Sequence, residues 1–172
     1  LYDWNSHVNL NLPVAAGHEF SGIVAAVGAE VRGFAAGDRV VGEPSASVCM
    51  TCRYCRSGLY NLCSDRQILG FGRNGCFAEY TKLPAERVHH LPGGVSFEDA
   101  AITEPLACCV HAVQDNLETA VDDLVVITGP GTIGQLMLQL MQVSGTRTVM
   151  LGTKADAARL KLAASFGART VN

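Results

Sequence analysis

Four cysteines in a short stretch constrain most strongly what this chain can fold into. Their spacing is Cys49-x2-Cys52-x2-Cys55-x7-Cys63. Four thiolates so close together can complete a tetrahedral shell around zinc and leave no open position, which is typical of a structural site. Because residues 49–63 include few large apolar side chains, a metal would replace a hydrophobic core there. The spacing therefore predicts a structural zinc site.

Two other roles for these cysteines stay open. Bacterial iron–sulfur proteins also use a C-x2-C-x2-C run, but a fourth cysteine follows after three residues and precedes proline. Here the last gap is seven residues, and Ser64 follows Cys63. Disulfides are typical of short secreted domains, whereas a Val- and Ala-rich chain of 172 residues favours metal ligation in a reducing compartment. We therefore expect a cytoplasmic protein.

Composition argues against several classes of protein. Hydrophobic residues make up 48% of the chain and charged residues 17%, which indicates a compact fold and not a disordered one. The formal net charge is -3 and no run of like charges occurs, so a nucleic-acid partner is not expected. The longest apolar stretches, such as residues 105–110, fall far short of the roughly 18 residues that cross a bilayer. Neither a membrane span nor a targeting peptide is expected.

Periodicity predicts a β-rich region followed by helical structure. Ser96 is a predicted N-cap with Glu98 in the first helical turn, and helix with a break near Pro105 is expected to about residue 117. The region before it has short apolar segments bounded by Gly, Pro or Asp. These segments are predicted strands at residues 20–27, 39–41, 77–83 and 88–91.

The last third of the chain has the pattern of a parallel α/β fold. A buried strand is predicted at residues 124–127 and an amphipathic helix at 131–143. A second strand follows at 148–151 and a second helix at 155–166. Strand, helix, strand, helix is the beginning of a doubly wound sheet. A third strand is expected to begin at about the end of the chain.

A glycine-rich turn joins the first of these strands to its helix. Gly129, Gly131 and Gly134 form the Gly-x-Gly-x-x-Gly pattern between a strand and a helix, which is the context of a dinucleotide site. Their roles there are a tight turn, close approach of the backbone to the pyrophosphate, and close helix packing. The pyrophosphate would lie at the helix N-terminus, beside Thr132 and Ile133.

The end of the second strand bears on the choice between NAD and NADP. An NAD site has an acidic residue there, but Thr153 and Lys154 occupy that position. Asp156 lies just after that position and could equally interact with the N-terminus of the next helix. Lys154, with Arg159, could instead bind a 2′-phosphate. The residues therefore slightly favour NADP.

Six motifs follow one another along the chain: residues 17–22, residues 37–40, the four-cysteine lobe at 49–63, and residues 75–80, 104–107 and 129–134. In this order and spacing they resemble the zinc-dependent medium-chain alcohol dehydrogenases, and among them the sorbitol and threonine dehydrogenase branch. The resemblance covers essentially the whole chain, and only the glycine-rich turn is a generic fingerprint.

The resemblance implies an α/β protein in which a β-rich GroES-like catalytic domain precedes a Rossmann-type doubly wound nucleotide-binding domain. The catalytic domain would cover residues 1–105, with the structural zinc lobe at 49–63, and the nucleotide domain would begin within 106–172. The implied activity is zinc-dependent hydride transfer between a secondary alcohol or polyol and NAD(P). The implied partners are a small-molecule substrate and, for the whole enzyme, further copies of itself.

The resemblance also implies roles for three residues. His18 matches the histidine that binds the catalytic zinc, and Glu19 matches the acidic neighbour that ligates the metal or holds its water. Glu104 matches the glutamate of the Glu-Pro motif, a further ligand or water partner. A catalytic zinc keeps one position open, so nitrogen and oxygen ligands are expected at this second site. Zinc there promotes loss of the alcohol proton before hydride reaches the nicotinamide.

The start of the chain departs from the family pattern. The first catalytic ligand of the family is a cysteine in a Cys-Gly-Ser/Thr-Asp motif, and residues 1–4 resemble the segment just after it. That cysteine and the adjacent hydroxyl residue of the proton relay are absent here. We therefore expect the chain to be roughly half of a longer enzyme, able to hold the structural zinc but inactive alone.

Two alternative functions stay open. One is a zinc-independent quinone reductase of the same superfamily, against which the four-cysteine lobe and the His18–Glu19 pair count. The other is a non-catalytic relative that keeps the zinc lobe and uses the fold for binding or assembly. Cys76, Cys108 and Cys109 are expected to be inert thiols and not to replace the missing ligand.

Overall fold

The computed structural model describes residues 12–172, so residues 1–4, which carry the predicted departure from the family pattern, lie outside the described part. The chain divides into two compact units between Glu104 and Pro105. The first unit consists of short strands and irregular segments, and the second is a parallel sheet with packed helices. Among the described residues, no helix is long and apolar enough to cross a bilayer.

The described residues of the first unit form five short strands and two single-turn α-helices. Its elements are β1 (Ser21–Ile23), β2 (Arg39–Gly42), β3 (Ser45–Ser47), α1 (Arg53–Arg56), β4 (Gln67–Ile68), β5 (Val88–His90) and α2 (Phe97–Ala100). An antiparallel sheet has the order β1-β2-β5, in which Ser21 lies opposite Val41 and Val40 opposite His90. Because β2 is the central strand, Val40 and Val41 are buried.

Two of the predicted strands differ from what is observed. The strand predicted at residues 20–27 ends at Ile23, although Val24 continues the pairing by accepting from the amide of Gly37. The strand predicted at residues 77–83 is wrong. The segment is a short apolar one bounded by Gly75 and Pro84, as strands often are, but no described strand pairs with it, and Phe77 and Tyr80 are each 76% exposed.

The four-cysteine lobe extends from a two-stranded base. Strands β3 and β4 pair antiparallel with Ser45 opposite Ile68, and the lobe is the connection between them. Leu69, directly after β4, is fully buried, whereas Met50, Leu59 and Leu62 within the lobe are exposed. The lobe therefore has almost no apolar core of its own, as the sequence indicated.

A partly exposed ion pair joins the end of β2 to the start of β5. Glu43 accepts hydrogen bonds from Arg87 at 2.8 Å and from His89 Nε2 at 2.9 Å. The guanidinium of Arg87 also lies 5.6 Å from the ring centre of Tyr60 in the lobe. Burial raises the pKa of Glu43, but the hydrogen bonds from Arg87 and His89 outweigh it and hold this pKa below its usual value. At neutral pH the Glu43 carboxylate is therefore charged and pairs with Arg87 and His89.

Replacing Glu43 with glutamine is expected to lower the free energy of unfolding by about 1 kcal/mol at pH 7, because charge-assisted hydrogen bonds at a partly exposed site contribute about that much. A depressed carboxyl pKa stabilises the fold above the unfolded value of 4.5, so the difference from wild type shrinks as the pH falls below it. Denaturant unfolding of both proteins at each pH measures this. Glu86→Gln, at an exposed neighbouring position, is the control. An equal effect of both substitutions would contradict the role given to Glu43.

The second unit is built on three parallel strands. Its elements are α3 (Thr103–Asn116), whose first two residues belong to the first unit, β6 (Leu124–Thr128), α4 (Thr132–Val143), β7 (Arg147–Leu151), α5 (Ala157–Ser165) and β8 (Arg169–Val171). The sheet has the order β6-β7-β8, with Val126 opposite Val149 and Met150 opposite Thr170. The core that joins the sheet to α4 and α5 consists of Ile127, Leu138, Met150, Leu160, Ala163 and Ala168.

The helical prediction around Ser96 is confirmed except for the position of the break. Ser96 Oγ accepts from the amide of Asp99 at 3.0 Å and caps α2. The break falls before α3, which begins at Thr103, and Pro105 lies inside its first turn. Proline is tolerated in a first helical turn because its missing N–H has no intrahelical partner there. The third strand of the sheet, β8, begins at Arg169, about where it is expected.

Candidate functional site

The four cysteines of the lobe converge on one point. Their sulfur atoms all lie within 4.8 Å of one another. Cys49 and Cys52 precede α1, Cys55 lies within it, and Cys63 follows a short 3-10 turn. Gly58, with φ of +77°, lets the chain reverse after α1 and return to Cys63. Local turns alone therefore bring Cys49, Cys52, Cys55 and Cys63 together. This group is called the thiol tetrad below.

Backbone amides point at the sulfurs of the tetrad. The amide of Cys52 donates to Cys49 Sγ at 3.3 Å, that of Cys55 to Cys52 Sγ at 3.4 Å, and that of Cys49 to Cys63 Sγ at 3.5 Å. Hydrogen bonds from the side chain and amide of Thr51 and from the amide of Cys52 lower the pKa of Cys49 to about 6. Such donors favour thiolates.

Burial has the opposite effect on another member of the tetrad. It raises the pKa of Cys55 to about 12, and the neighbouring thiols add to this. All four sulfurs can therefore be thiolates at the same time only if a cation neutralises their charge. A metal ion bound by the four thiolates would do this. None of the cysteines is in a disulfide, and the sulfurs of Cys49 and Cys55 are 3.9 Å apart, far longer than an S–S bond. The residues present therefore fit a four-thiolate metal site.

A second group of potential ligands lies elsewhere in the first unit. One ligand atom each from His18, Glu19 and Glu104 falls within 4.8 Å of the other two. His18 and Glu104 are half-buried and Glu19 is exposed. Glu104 is in the first turn of α3, whereas His18 and Glu19 lie in the extended segment before β1. The fold thus brings Glu104 to a pair of neighbouring residues that lie more than eighty positions earlier in the chain.

The donor set of this second group differs in chemistry from the tetrad. One imidazole nitrogen and two carboxylates are ligands that zinc accepts, and three protein donors leave a coordination position open. Cys76 lies beside the group, with its sulfur 3.6 Å from the carbonyl oxygen of Glu19. Burial raises the pKa of the Cys76 thiol, which favours the inert protonated form. The residues present fit a metal site of the open, catalytic kind.

The glycine-rich turn after β6 has the geometry of a phosphate cradle. Gly129 has φ of +92°, and a Cβ on Gly134 would lie 2.1 Å from the carbonyl oxygen of Gly129, so only glycine fits. Gly131 is the N-cap of α4 and offers no side-chain cap, which leaves the first amides of Thr132 and Ile133 available to an anion.

Asp156, the acidic residue after β7, is hydrogen-bonded to neighbouring residues of the chain. Asp156 Oδ2 accepts from the hydroxyl of Thr153 at 2.7 Å and from its amide at 3.0 Å, and Asp156 Oδ1 accepts from Arg159 at 3.3 Å. The bonds from Thr153, with a smaller contribution from Arg159, lower the pKa of Asp156. Asp156 thus caps the following helical turn, and its contacts with Thr153 and Arg159 are the ones that the structure shows at the end of β7.

Two other histidines and one further cysteine have structural partners. His90 stacks on Phe34 with ring centres 4.5 Å apart, and His111 bonds to Asp115. Cys109 is buried, and its sulfur lies 3.7 Å from the carbonyl oxygen of Ile133.

Sequence reasoning missed the contacts of Gly70 and Gly75 with the segment before His18. No local pattern marks these contacts, because they join segments that are distant in the chain.

Comparison with a protein-family model identifies the first part of the chain. The model of the alcohol dehydrogenase GroES-like domain matches residues 2–93. This region contains the thiol tetrad and the His18–Glu19 pair.

Known proteins resemble the chain along nearly all of its length. Sorbitol dehydrogenase of Halalkalibacterium halodurans is 44% identical over 169 residues, covering 97% of this chain and 48% of the relative. L-threonine 3-dehydrogenase of Pectobacterium atrosepticum is 40% identical over 176 residues, covering 100% of this chain and 47% of the relative. A Sinorhizobium meliloti 1021 protein, described as a zinc-binding dehydrogenase and bound to NADP, has a TM-score of 0.87 and 36% identity over 95% of this chain and 47% of its own. The chain spans about half the length of the curated relatives it matches.

Proposed function

Because the chain belongs to the zinc-dependent medium-chain alcohol dehydrogenase family, in the sorbitol and threonine dehydrogenase branch, we propose that it supplies the metal sites and part of the cofactor site of such an enzyme. The reaction is transfer of hydride between a secondary alcohol or polyol and a nicotinamide dinucleotide. The convergence of His18, Glu19 and Glu104 is the single observation that carries this proposal.

The substrate class follows from the chemistry of the relatives' substrates. Sorbitol and threonine are both small and hydrophilic, and both carry secondary hydroxyl groups. We assign residues 1–105 to the catalytic domain and 106–172 to the first part of the nucleotide-binding domain. The complete gene product is proposed to be a cytoplasmic homo-oligomer, as the family resemblance implies.

The chain's own residues have distinct roles in this proposal. His18 supplies a neutral nitrogen ligand, while Glu19 and Glu104 supply carboxylates that balance the charge of a divalent ion. A zinc ion held there would act as a Lewis acid and lower the pKa of a substrate hydroxyl. Glu19, the exposed member of the group, is suited to accept a hydrogen bond from the substrate or from water. The tetrad has no open position, so its role is to fold the lobe.

An activity assay of the complete gene product tests the proposal. Sorbitol, threonine and a simple secondary alcohol are each offered with NAD and with NADP, before and after metal chelation. Reduction of cofactor that chelation abolishes and zinc restores is the expected result. Activity that survives chelation would favour the zinc-independent quinone reductase. Failure to bind either cofactor would favour a non-catalytic relative.

We propose NADP as the preferred cofactor. Asp156 already accepts hydrogen bonds from Thr153 and Arg159, which occupy most of the acceptor sites that the ribose hydroxyls of NAD would need. Lys154 and Arg159 supply positive charge at the same place, and the structurally similar Sinorhizobium protein is bound to NADP. A 2′-phosphate at this position would form charge-assisted hydrogen bonds.

Replacing Lys154 with alanine is expected to weaken NADP binding about tenfold and to leave NAD binding nearly unchanged, because one hydrogen bond to a charged group contributes roughly 1.5–3 kcal/mol. Titration of the complete gene product with each cofactor measures this. Lys161→Ala, which removes an exposed lysine of α5, is the matched control. Tighter binding of NAD than of NADP by the wild-type protein would contradict the assignment.

A further inference from the structure

Two glycines after β4 pack against the residue that precedes His18. A Cβ atom on Gly75 would lie 2.0 Å from the carbonyl oxygen of Gly17 and 2.5 Å from that of Ala16. A Cβ atom on Gly70 would lie 2.7 Å from the amide nitrogen of Gly17. These neighbours are backbone atoms, which cannot rotate away as the end of a side chain can. Any side chain at Gly70 or Gly75 must therefore displace the backbone next to His18.

Hydrogen bonds tie the same two segments together. The amide of Gly75 donates to Ala15 at 2.8 Å, that of Cys76 to Gly17 at 3.0 Å, and that of Phe77 to Ala16 at 3.0 Å. Asn74 Oδ1 accepts from the amide of Ala15 at 3.0 Å. Residues 74–77 thus form a continuous backbone support for the residues directly before the candidate ligands.

Side chains complete the support around the ligands themselves. The rings of Phe71 and His18 lie 5.5 Å apart between centres, and Cys76 Sγ donates to the carbonyl oxygen of Glu19. On the other side of the segment, a Cβ on Gly17 would lie 2.4 Å from the ring of Phe77. The backbone at Gly17 is therefore confined between the two glycines and Phe77.

We propose that the turn of residues 70–77, here called the glycine turn, positions His18 and Glu19 so that they meet Glu104 at one metal. The inference rests on the proposed function of that trio. Gly70 and Gly75 are positioning residues, because they touch the backbone next to the ligands and none of the reacting atoms. The close approach of Gly70 and Gly75 to Gly17 sets the distance between His18 and Glu104. The thiol tetrad folds independently of this contact.

Cobalt titration of the complete gene product tests the inference, followed by the absorption of the bound ion. His18→Ala and Cys55→Ala variants identify which absorption change belongs to which site. Gly75→Ala is expected to weaken cobalt binding at the His18 site at least about tenfold, as loss of outer support for metal ligands typically does. Binding at the tetrad is expected to be unchanged.

Gly72→Ala is the matched control in the same turn. A Cβ there would meet mainly the end of the flexible Gln67 side chain, at 2.6 Å from Oε1, so both sites should keep their affinity. Unchanged cobalt affinity at the His18 site in Gly75→Ala would overturn the inference. A wild-type protein that binds cobalt only at the tetrad would instead overturn the proposed function.

A milder variant covers the case in which Gly75→Ala loses both sites by failing to fold. Asn74→Ala removes one side-chain hydrogen bond to Ala15 and adds no bulk. It is expected to weaken cobalt binding at the His18 site several-fold while the tetrad keeps its affinity. Equal affinity of Asn74→Ala and wild type at the His18 site would contradict the inference.

Discussion

Replacing Cys55 with alanine is expected to remove one equivalent of zinc and to unfold the lobe between β3 and β4. Cys55 is a buried member of the tetrad, whereas Met50, Leu59 and Leu62 of the lobe are exposed. Binding of structural zinc contributes on the order of 10 kcal/mol to small domains of this kind. The lobe has no apolar core to replace that contribution, so its native conformation should be lost.

Zinc analysis and limited proteolysis of the complete gene product measure this effect. We expect rapid cleavage within residues 49–63 of the variant and protection of the same segment in the wild type. Cys108→Ala is the control, because Cys108 is an exposed cysteine outside the tetrad. Full zinc content with an intact lobe in Cys55→Ala would show that the four thiols do not bind the metal together.

Replacing His18 with alanine is expected to lower kcat/KM roughly 10³-fold and to remove a second equivalent of zinc while the lobe keeps its own. A Lewis-acid metal supplies several kcal/mol of transition-state stabilisation, and each 1.36 kcal/mol is a factor of about ten in rate. Without the imidazole, only Glu19 and Glu104 remain of the three grouped ligands.

A steady-state assay combined with zinc analysis measures the effect of His18→Ala. His111→Ala is the matched control, since it removes another histidine that is exposed and bonds to Asp115. The control should retain both zinc ions and wild-type activity. Equal activity of His18→Ala and wild type would rule out His18 as a ligand of the catalytic metal.

The features that depend on neighbours in the chain were the ones the sequence predicted well. The tetrad is assembled by local turns, so the spacing from Cys49 to Cys63 was sufficient to predict that the thiols converge. The cap at Ser96 and the alternation of β6, α4, β7 and α5 are likewise encoded by residues close in the chain. Periodicity, capping and turn residues act over such short ranges.

The features that depend on tertiary packing were not accessible in the same way. His18 and Glu104 are far apart in the chain, and only the family resemblance joined them before the structure did. The short apolar segment at residues 77–83 predicted a strand, because a sequence pattern does not show whether a partner strand exists. The need for glycine at Gly75 likewise arises from the backbone of Gly17, which no local pattern reveals.

The zinc content of the purified complete gene product tests the central claim most directly. Elemental analysis is expected to find two zinc ions per chain, one for the thiol tetrad and one for His18, Glu19 and Glu104. A single zinc ion that persists in His18→Ala would contradict the catalytic site and leave only the lobe. Iron in place of zinc, with a visible absorption band, would contradict the structural site as well.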